Sequence, residues 1–158
     1  MISLPQYFSE ILVPSLNQLS LYSTPAAKLI MGTVMQESRF RYLVQLGNGP
    51  ALGLAQMEPR THDDIWDNYL KYREGLADPI LRHLGSRTAQ PDARRMVWDL
   101  KYSAMMCRIH YRRVPSKLPT DPPGFAAYWK QHYNTRHGAG TVHEFLRNWE
   151  VVEHEMRW

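Results

Sequence analysis

The sequence predicts a mainly helical fold with one small β-hairpin. Apolar side chains recur at helical spacing along most of the 158 residues. Prolines, aspartates and threonines that favour helix starts and ends separate these stretches. Strand-like and turn-like residues meet only in the region around 42–56. The length and the absence of an internal repeat predict a single domain over residues 1–158.

Two helices are predicted in the first forty residues. Apolar residues keep helical spacing between positions 8 and 19, and Pro14 is expected to split that helix. Thr24 is the predicted N-cap of the next helix, because Pro25 then takes the first helical position. This second helix is expected to run to about Glu37.

The middle of the chain predicts three further helices. Pro59 opens one, and residues 79–84 form at most a short one. Asp92 is the predicted N-cap of the longest helix, and Pro115 stops it.

Two helices and a hairpin complete the prediction. A helix of about ten residues carries Trp129 and Tyr133, and residues 141–144 form a capping box for a final helix to about Met156. Residues 42–46 are strand-like, 47–50 have turn residues, and 51–55 can return as the second strand.

Composition and charge exclude several classes of protein. With 44% hydrophobic and 22% charged residues, the chain is globular rather than disordered. The net charge of +4 favours an anionic partner, but the basic residues are scattered, so nucleic acid is not expected to be that partner. The single cysteine, Cys107, excludes an internal disulfide and a cysteine-based zinc site.

The sequence predicts neither membrane insertion nor a signal peptide. No apolar run reaches the roughly 18 residues that a membrane-spanning helix needs. The first twenty residues contain no lysine or arginine, which a signal peptide would carry near its start.

Glu37 does not match the apolar face of its predicted helix. Ala26, Ile30, Thr33 and Glu37 lie within about 60° of arc on a helix, so Glu37 shares a face that should point to the core. Burial and the negative end of the helix dipole both raise the pKa of a carboxyl group. A carboxyl that stays protonated near neutral pH suits a general acid. The alternative is a glutamate that emerges into solvent at the helix end.

Three short motifs occur in a fixed order along the chain. The first closes the helix of Glu37, the second follows a glycine-rich turn, and the third precedes a loop with Gly138 and Gly140. The motifs are Glu37-Ser38, then Gly53-Leu54-Ala55-Gln56 with Pro59-Arg60-Thr61 close behind, then Tyr133-Asn134.

This order resembles the soluble lytic transglycosylases, a lysozyme-like family that is also similar to goose-type lysozyme. The resemblance covers residues 24–149, and it implies a lysozyme-like fold of the α+β class. It further implies that Glu37 is the sole catalytic acid and base, with no cofactor and no metal. The substrate-binding residues that it implies are Ser38, Gly53, Leu54, Gln56, Tyr133 and Asn134.

The chain departs from the family pattern at two points. Thr135, Arg136 and His137 stand between Asn134 and the glycines, where the family has Ala-Gly. Glu58 stands close after Gln56, where the family more often has a small or apolar residue.

The implied reaction cleaves the β-1,4 bond between N-acetylmuramic acid and N-acetylglucosamine in peptidoglycan glycan strands. The family reaction uses no water and leaves a 1,6-anhydromuramic end. Hydrolysis is an alternative that needs a second carboxylate, for which Glu58, Asp63 and Asp64 are candidates by position. A non-catalytic lysozyme-like module of a virion assembly is the other alternative.

The expected setting is a bacteriophage or prophage. Without a signal peptide, the protein would reach the cell wall either from the host cytoplasm as an endolysin or as a component of the virion or tail. Other virion proteins are therefore expected partners besides the glycan. Two or three of six aromatic residues are expected to line the cleft: Trp66, Tyr69, Trp98, Tyr102, Tyr128 and Trp129.

Overall fold

The computed structural model describes residues 1–85, 90–134 and 138–158. Helices make up most of these residues, which confirms the prediction of a mainly helical chain. No helix in the described ranges is long and apolar enough to cross a membrane. The α-helices are α1 (Leu4–Gln6), α2 (Val13–Gln18), α3 (Thr24–Ser38), α4 (Pro59–Asn68), α5 (Glu74–Leu84), α6 (Arg95–Trp98), α7 (Leu100–Arg112), α8 (Pro122–Trp129) and α9 (Val142–Met156).

The first helical stretch is not split at Pro14, contrary to the prediction. A π-helical segment, Tyr7–Leu12, joins α1 directly to α2. Pro14 lies in the first turn of α2, immediately after these wider turns. In a first helical turn the missing proline N–H removes little hydrogen bonding, so the helical path continues.

Three predicted helix starts are wrong. Ser23, not Thr24, caps α3, and its hydroxyl accepts a hydrogen bond of 3.2 Å from the amide of Ala26. Asp99, not Asp92, caps α7, and its carboxylate accepts from the amide of Tyr102 at 3.0 Å. Helix α5 begins at Glu74 rather than near position 79, because the burial of its apolar side offsets the cost of Pro79 in the helix interior.

Two other helices match their predictions closely. Helix α9 has the predicted capping box between Thr141 and Glu144, and it ends at Met156 as expected. Helix α8 continues without interruption into a second π-helical segment, Lys130–Asn134, so that Trp129 and Tyr133 share one helical stretch. Segments of π-helix are often found at functional sites.

The predicted hairpin is reduced to two isolated bridges. Val44 pairs with Leu52, Leu52 pairs with Met57, and neither bridge extends into a strand in the part of the chain that the structure describes. Leu46–Asn48 forms a 3₁₀ turn between the two residues of the first bridge, Val44 and Leu52. A two-stranded hairpin is marginal without a third strand or a covering helix, and residues 41–48 are exposed.

The buried side chains form two clusters that meet at α7. One cluster joins α3, α8, α9 and the N-terminal helices to Ala104, Cys107 and Tyr111. The other joins α4 and α5 to the opposite side of α7, which carries Tyr102 and Met105. Packing of α3 against α9 and α8 brings the C-terminal end of α3 beside the C-terminal end of α8.

Candidate functional site

A groove of about 590 Å³ opens at the C-terminal end of α3. Its walls come from the end of α3, from residues 42–57, which we call the bridged loop after its two β-bridges, from the start of α4, from His110 of α7 and from the chain after α8. Both polar and apolar side chains line it, and Tyr42 and Leu46 contribute from the exposed loop.

Glu37 lies at the wall of this groove, one residue before the end of α3. The indole N–H of Trp129 donates a hydrogen bond of 2.8 Å to Oε1 of Glu37. Burial raises the pKa of Glu37 from its usual 4.5 to about 7, and the hydrogen bond from Trp129 opposes part of that rise. The side chain is partly buried and opens on the groove, so it is neither fully solvated nor sealed in the core.

Tyr133 also lines the groove, but its hydroxyl is directed to the bridged loop. It donates a hydrogen bond of 2.8 Å to the backbone carbonyl of Ala55. Its ring packs against Tyr111, with ring centres 5.3 Å apart, and edge-on against His110 at 4.8 Å. Tyr133 therefore holds the loop of the second motif against the segment of the third.

Gln56 reaches the groove from a tight turn. Its backbone has a left-handed φ of 49°, and its side-chain amide donates to the carbonyl of Gly53 at 2.9 Å. Gly53 has a φ of 72°, and a Cβ there would lie 2.7 Å from the carbonyl oxygen of Met96. A glycine is needed where this loop approaches α6 so closely. Gly53 and Leu54 are buried and do not line the groove.

Ser38 and Asn134 line the groove with side chains that are already bonded. The hydroxyl of Ser38 donates to the carbonyl of Val34 at 3.2 Å within α3. The carboxamide oxygen of Asn134 accepts from the ammonium group of Lys130 at 2.8 Å. The hydroxyl of Ser38 is therefore directed along its own helix, while the amide nitrogen of Asn134 has no hydrogen-bond partner among the described residues.

Lys130 fixes the loop after Asn134. Its ammonium group also donates to the carbonyl oxygens of Gly138 at 2.9 Å and Gly140 at 2.7 Å. A Cβ on Gly140 would lie 2.6 Å from the ring of Trp129, so this loop packs directly on the residue that bonds Glu37. Thr135, Arg136 and His137, where the sequence departs from the family pattern, lie outside the described residues.

His110 completes the wall as a neutral side chain. Its Nε2–H donates to the carbonyl of His132 at 2.9 Å, and its Nδ1 accepts from Arg113 at 3.0 Å. Burial and the nearby Arg113 charge lower the pKa of His110 from 6.5 to about 4. The ring therefore stays uncharged at neutral pH and ties α7 to the π-helical segment.

The candidate second carboxylates differ in position. Glu58 lines the groove and pairs with Arg60 at 2.8 Å. Asp63 is bonded to His62, and Asp64 to Arg113, and both lie outside the groove. No cluster of histidine, cysteine, aspartate or glutamate suited to a metal occurs in the described residues.

Trp129 and Tyr42 are two of the groove residues that the sequence does not assign to the site. The sequence gives Trp129 only as one of six stacking candidates, and of those six it alone lines the groove. Its position four residues before Tyr133 on one helix is the signal that places both on the same side. Tyr42 also lines the groove, although the sequence placed it only in a strand.

Five of the seven predicted site residues meet in this one groove. They are Glu37, Ser38, Gln56, Tyr133 and Asn134. Gly53 and Leu54 are the exceptions, because both are buried in the bridged loop and do not line the groove.

Comparisons of the chain with protein-family models, with curated proteins and with solved structures found no match.

Proposed function

We propose that this protein is a peptidoglycan lytic transglycosylase that uses Glu37 as its single acid and base. The observation that carries the proposal is the state of Glu37, a groove-lining carboxyl group whose pKa is raised to about 7. Gln56 and Tyr133 line the same groove, which supports an active site over a non-catalytic scaffold. The order of the three motifs supports a lysozyme-like character for this helical fold.

The first step requires a protonated Glu37. The carboxylic acid gives its proton to the glycosidic oxygen between N-acetylmuramic acid and N-acetylglucosamine, and the C1–O bond of the muramic residue breaks. The cation that develops at C1 resembles an oxocarbenium ion. The acetamido oxygen of the same sugar stabilises this cation, so no carboxylate nucleophile is required.

The second step uses the carboxylate that the first step leaves. Glu37 takes the proton from the C6 hydroxyl of the muramic residue, and the C6 oxygen bonds to C1. The product is a 1,6-anhydro ring, and Glu37 recovers its proton for the next cycle. A pKa near 7 suits a group that must both give and take a proton at neutral pH.

The polar groups of the groove support the binding of an aminosugar chain. The amide nitrogen of Asn134 is a donor for a sugar hydroxyl or an acetamido oxygen. The exposed ring of Tyr42 suits contact with the apolar face of a sugar.

The setting that we propose is a bacteriophage or prophage, in which the protein acts as an endolysin or as a component of the virion.

The experiment is digestion of purified peptidoglycan followed by mass spectrometry of the soluble products. The wild-type protein is expected to release muropeptides with anhydro ends. Glu37→Gln is expected to release none, and Glu150→Gln, an exposed change on α9, is the matched control. Equal digestion by Glu37→Gln would overturn the proposal.

The same products distinguish hydrolysis. A hydrolytic muramidase would leave reducing ends in place of anhydro ends. If Glu58→Gln then releases no products with reducing ends, Glu58 is the group that acts on water. The pairing of Glu58 with Arg60 on the exposed side of the groove is the reason that we expect anhydro ends.

A further inference from the structure

A second, smaller depression adjoins the groove at the C-terminal end of α3. It has a volume of about 290 Å³ and lies between α3 and the first two turns of α9. Gln36 and Arg39 line both the groove and the depression, so a ligand in the groove can extend into it. Its remaining lining residues are Glu144, Arg147 and Asn148.

The depression carries a positive charge. Arg39 and Arg147 are both exposed, and neither has an acidic side chain within 4.0 Å among the described residues. The carboxylate of Glu144 is held by the helix cap, where it accepts from the amide of Thr141 at 2.8 Å and its hydroxyl at 3.1 Å. Two guanidinium groups therefore face one carboxylate, and that carboxylate is already hydrogen-bonded.

The backbone on both sides of the depression is fixed. The side-chain amide nitrogen of Asn148 donates a hydrogen bond of 2.7 Å to the side-chain oxygen of Gln36, which joins α9 to α3. Helix α3 packs closely on α9 at Gly32, where a Cβ would lie 3.1 Å from the ring of Trp149. The amide of Arg39 closes α3 by donating to the carbonyl of Met35 at 3.1 Å. The two arginines therefore project from a rigid pair of helices.

We infer that this depression binds a carboxylate of the peptide branch carried by the muramic residues of the substrate. The inference rests on the proposed function and adds a preference for peptide-bearing strands over bare glycan. Guanidinium groups bind carboxylates through paired, charge-assisted hydrogen bonds. The side-chain amides of Gln36 and Asn148 bond each other through the Asn148 nitrogen and the Gln36 oxygen, so the Gln36 nitrogen and the Asn148 oxygen suit the peptide groups of the same branch. A branch that leaves the groove at Arg39 meets Arg147 next.

The first arm of the test compares cleavage of two substrates. One is peptidoglycan with its peptides, and the other is the same glycan after an amidase has removed them. The wild-type kcat/KM is expected to be about tenfold higher on the peptide-bearing strands, as one charge-assisted contact allows. Arg147→Gln is expected to lose most of this preference. Arg94→Gln, which removes the same charge from an exposed site outside both cavities, is expected to keep it.

The second arm measures binding without cleavage. Glu37→Gln is titrated with N-acetylglucosaminyl-N-acetylmuramic acid that carries its peptide, and then with the same disaccharide whose lactyl carboxyl is amidated. Calorimetry is expected to show tighter binding of the peptide-bearing ligand, and the added Arg147→Gln change is expected to remove that difference.

The outcomes separate the inference from the proposed function. The inference is overturned if the wild type makes anhydro products without a preference for peptide-bearing strands, or if Arg147→Gln keeps the wild-type preference. The proposed function is left standing in both cases. Failure to cleave either strand overturns the proposed function. In that case equal affinity for the two disaccharides overturns the inference as well.

Discussion

The indole N–H of Trp129 lies 2.8 Å from Oε1 of Glu37 and joins the end of α8 to the end of α3. This contact spans 92 positions in sequence. Because the indole N–H is only a donor, it occupies an acceptor position on Oε1 and leaves Oε2 without a contact from Trp129. The contact therefore orients the carboxyl group as well as moderating its pKa.

Replacement of Trp129 by phenylalanine is expected to raise the pKa of Glu37 further. The hydrogen bond from Trp129 stabilises the charged carboxylate and so lowers its pKa, while burial raises it. Loss of a hydrogen bond to a charged group is expected to raise the pKa by about one pH unit. Carbon-13 NMR titration of labelled glutamate measures this change.

The control for that variant is Trp98→Phe. Trp98 is 65% exposed and lies outside the groove, so its replacement should leave the pKa of Glu37 unchanged. A lower pKa in Trp129→Phe would show that the indole does not stabilise the carboxylate.

Glu37 is expected to make folding less favourable as the pH rises. Its folded-state pKa of about 7 exceeds its usual 4.5, so its stability contribution is complete below pH 4.5 and is lost as the pH rises through 7. We expect the stability of the wild type relative to Glu37→Gln to fall by roughly 2–3 kcal/mol over that range. Urea unfolding of both proteins between about pH 4 and pH 8 measures it. A difference that does not change with pH would contradict the raised pKa.

Lys130→Met is expected to loosen the loop over Trp129. The change leaves Asn134, Gly138 and Gly140 each without the ammonium donor that their oxygens accept from. The free energy of unfolding should fall by about 1–3 kcal/mol, as for lost partners of partly buried acceptors. The amides of Gly138 and Gly140 should exchange faster with solvent. Lys117→Met, at an exposed position, should change neither measurement.

His110 is expected to be neutral, with its proton on Nε2. The carbonyl of His132 accepts from that nitrogen, and Arg113 donates to the other. Nitrogen-15 NMR should show the Nε2–H form down to about pH 5, because the pKa is lowered to about 4. Titration near 6.5, or a proton on Nδ1, would contradict the arrangement of this wall.

The parts of the fold that depend on local sequence could be predicted, and α9 is the clearest case. Its capping box and its end follow from residues within a few positions of each other. The start of α7 could not be predicted, because Asp92 and Asp99 are equally suitable caps by type. Asp99 is selected by His83, which bonds both of its carboxylate oxygens at 3.0 Å from 16 positions earlier.

The bridged loop and the site also contain parts that local sequence predicts and parts that depend on contacts between distant residues. Residues 42–55 have strand and turn propensity, but the first strand-like segment, residues 42–46, is exposed while residues 51–55 are buried, so the pairing stops at isolated bridges. Sequence order identified Glu37, Gln56 and Tyr133, which line one groove. It could not identify the partner of Glu37, because that contact depends on how α8 packs against α3.

The most direct test of the account is the pKa of Glu37 in the wild-type protein, measured by carbon-13 NMR beside the pH dependence of peptidoglycan cleavage. The account predicts a midpoint near 7 and a loss of cleavage as the pH rises above that midpoint. A midpoint near 4.5, the value of a solvated glutamate, would contradict it.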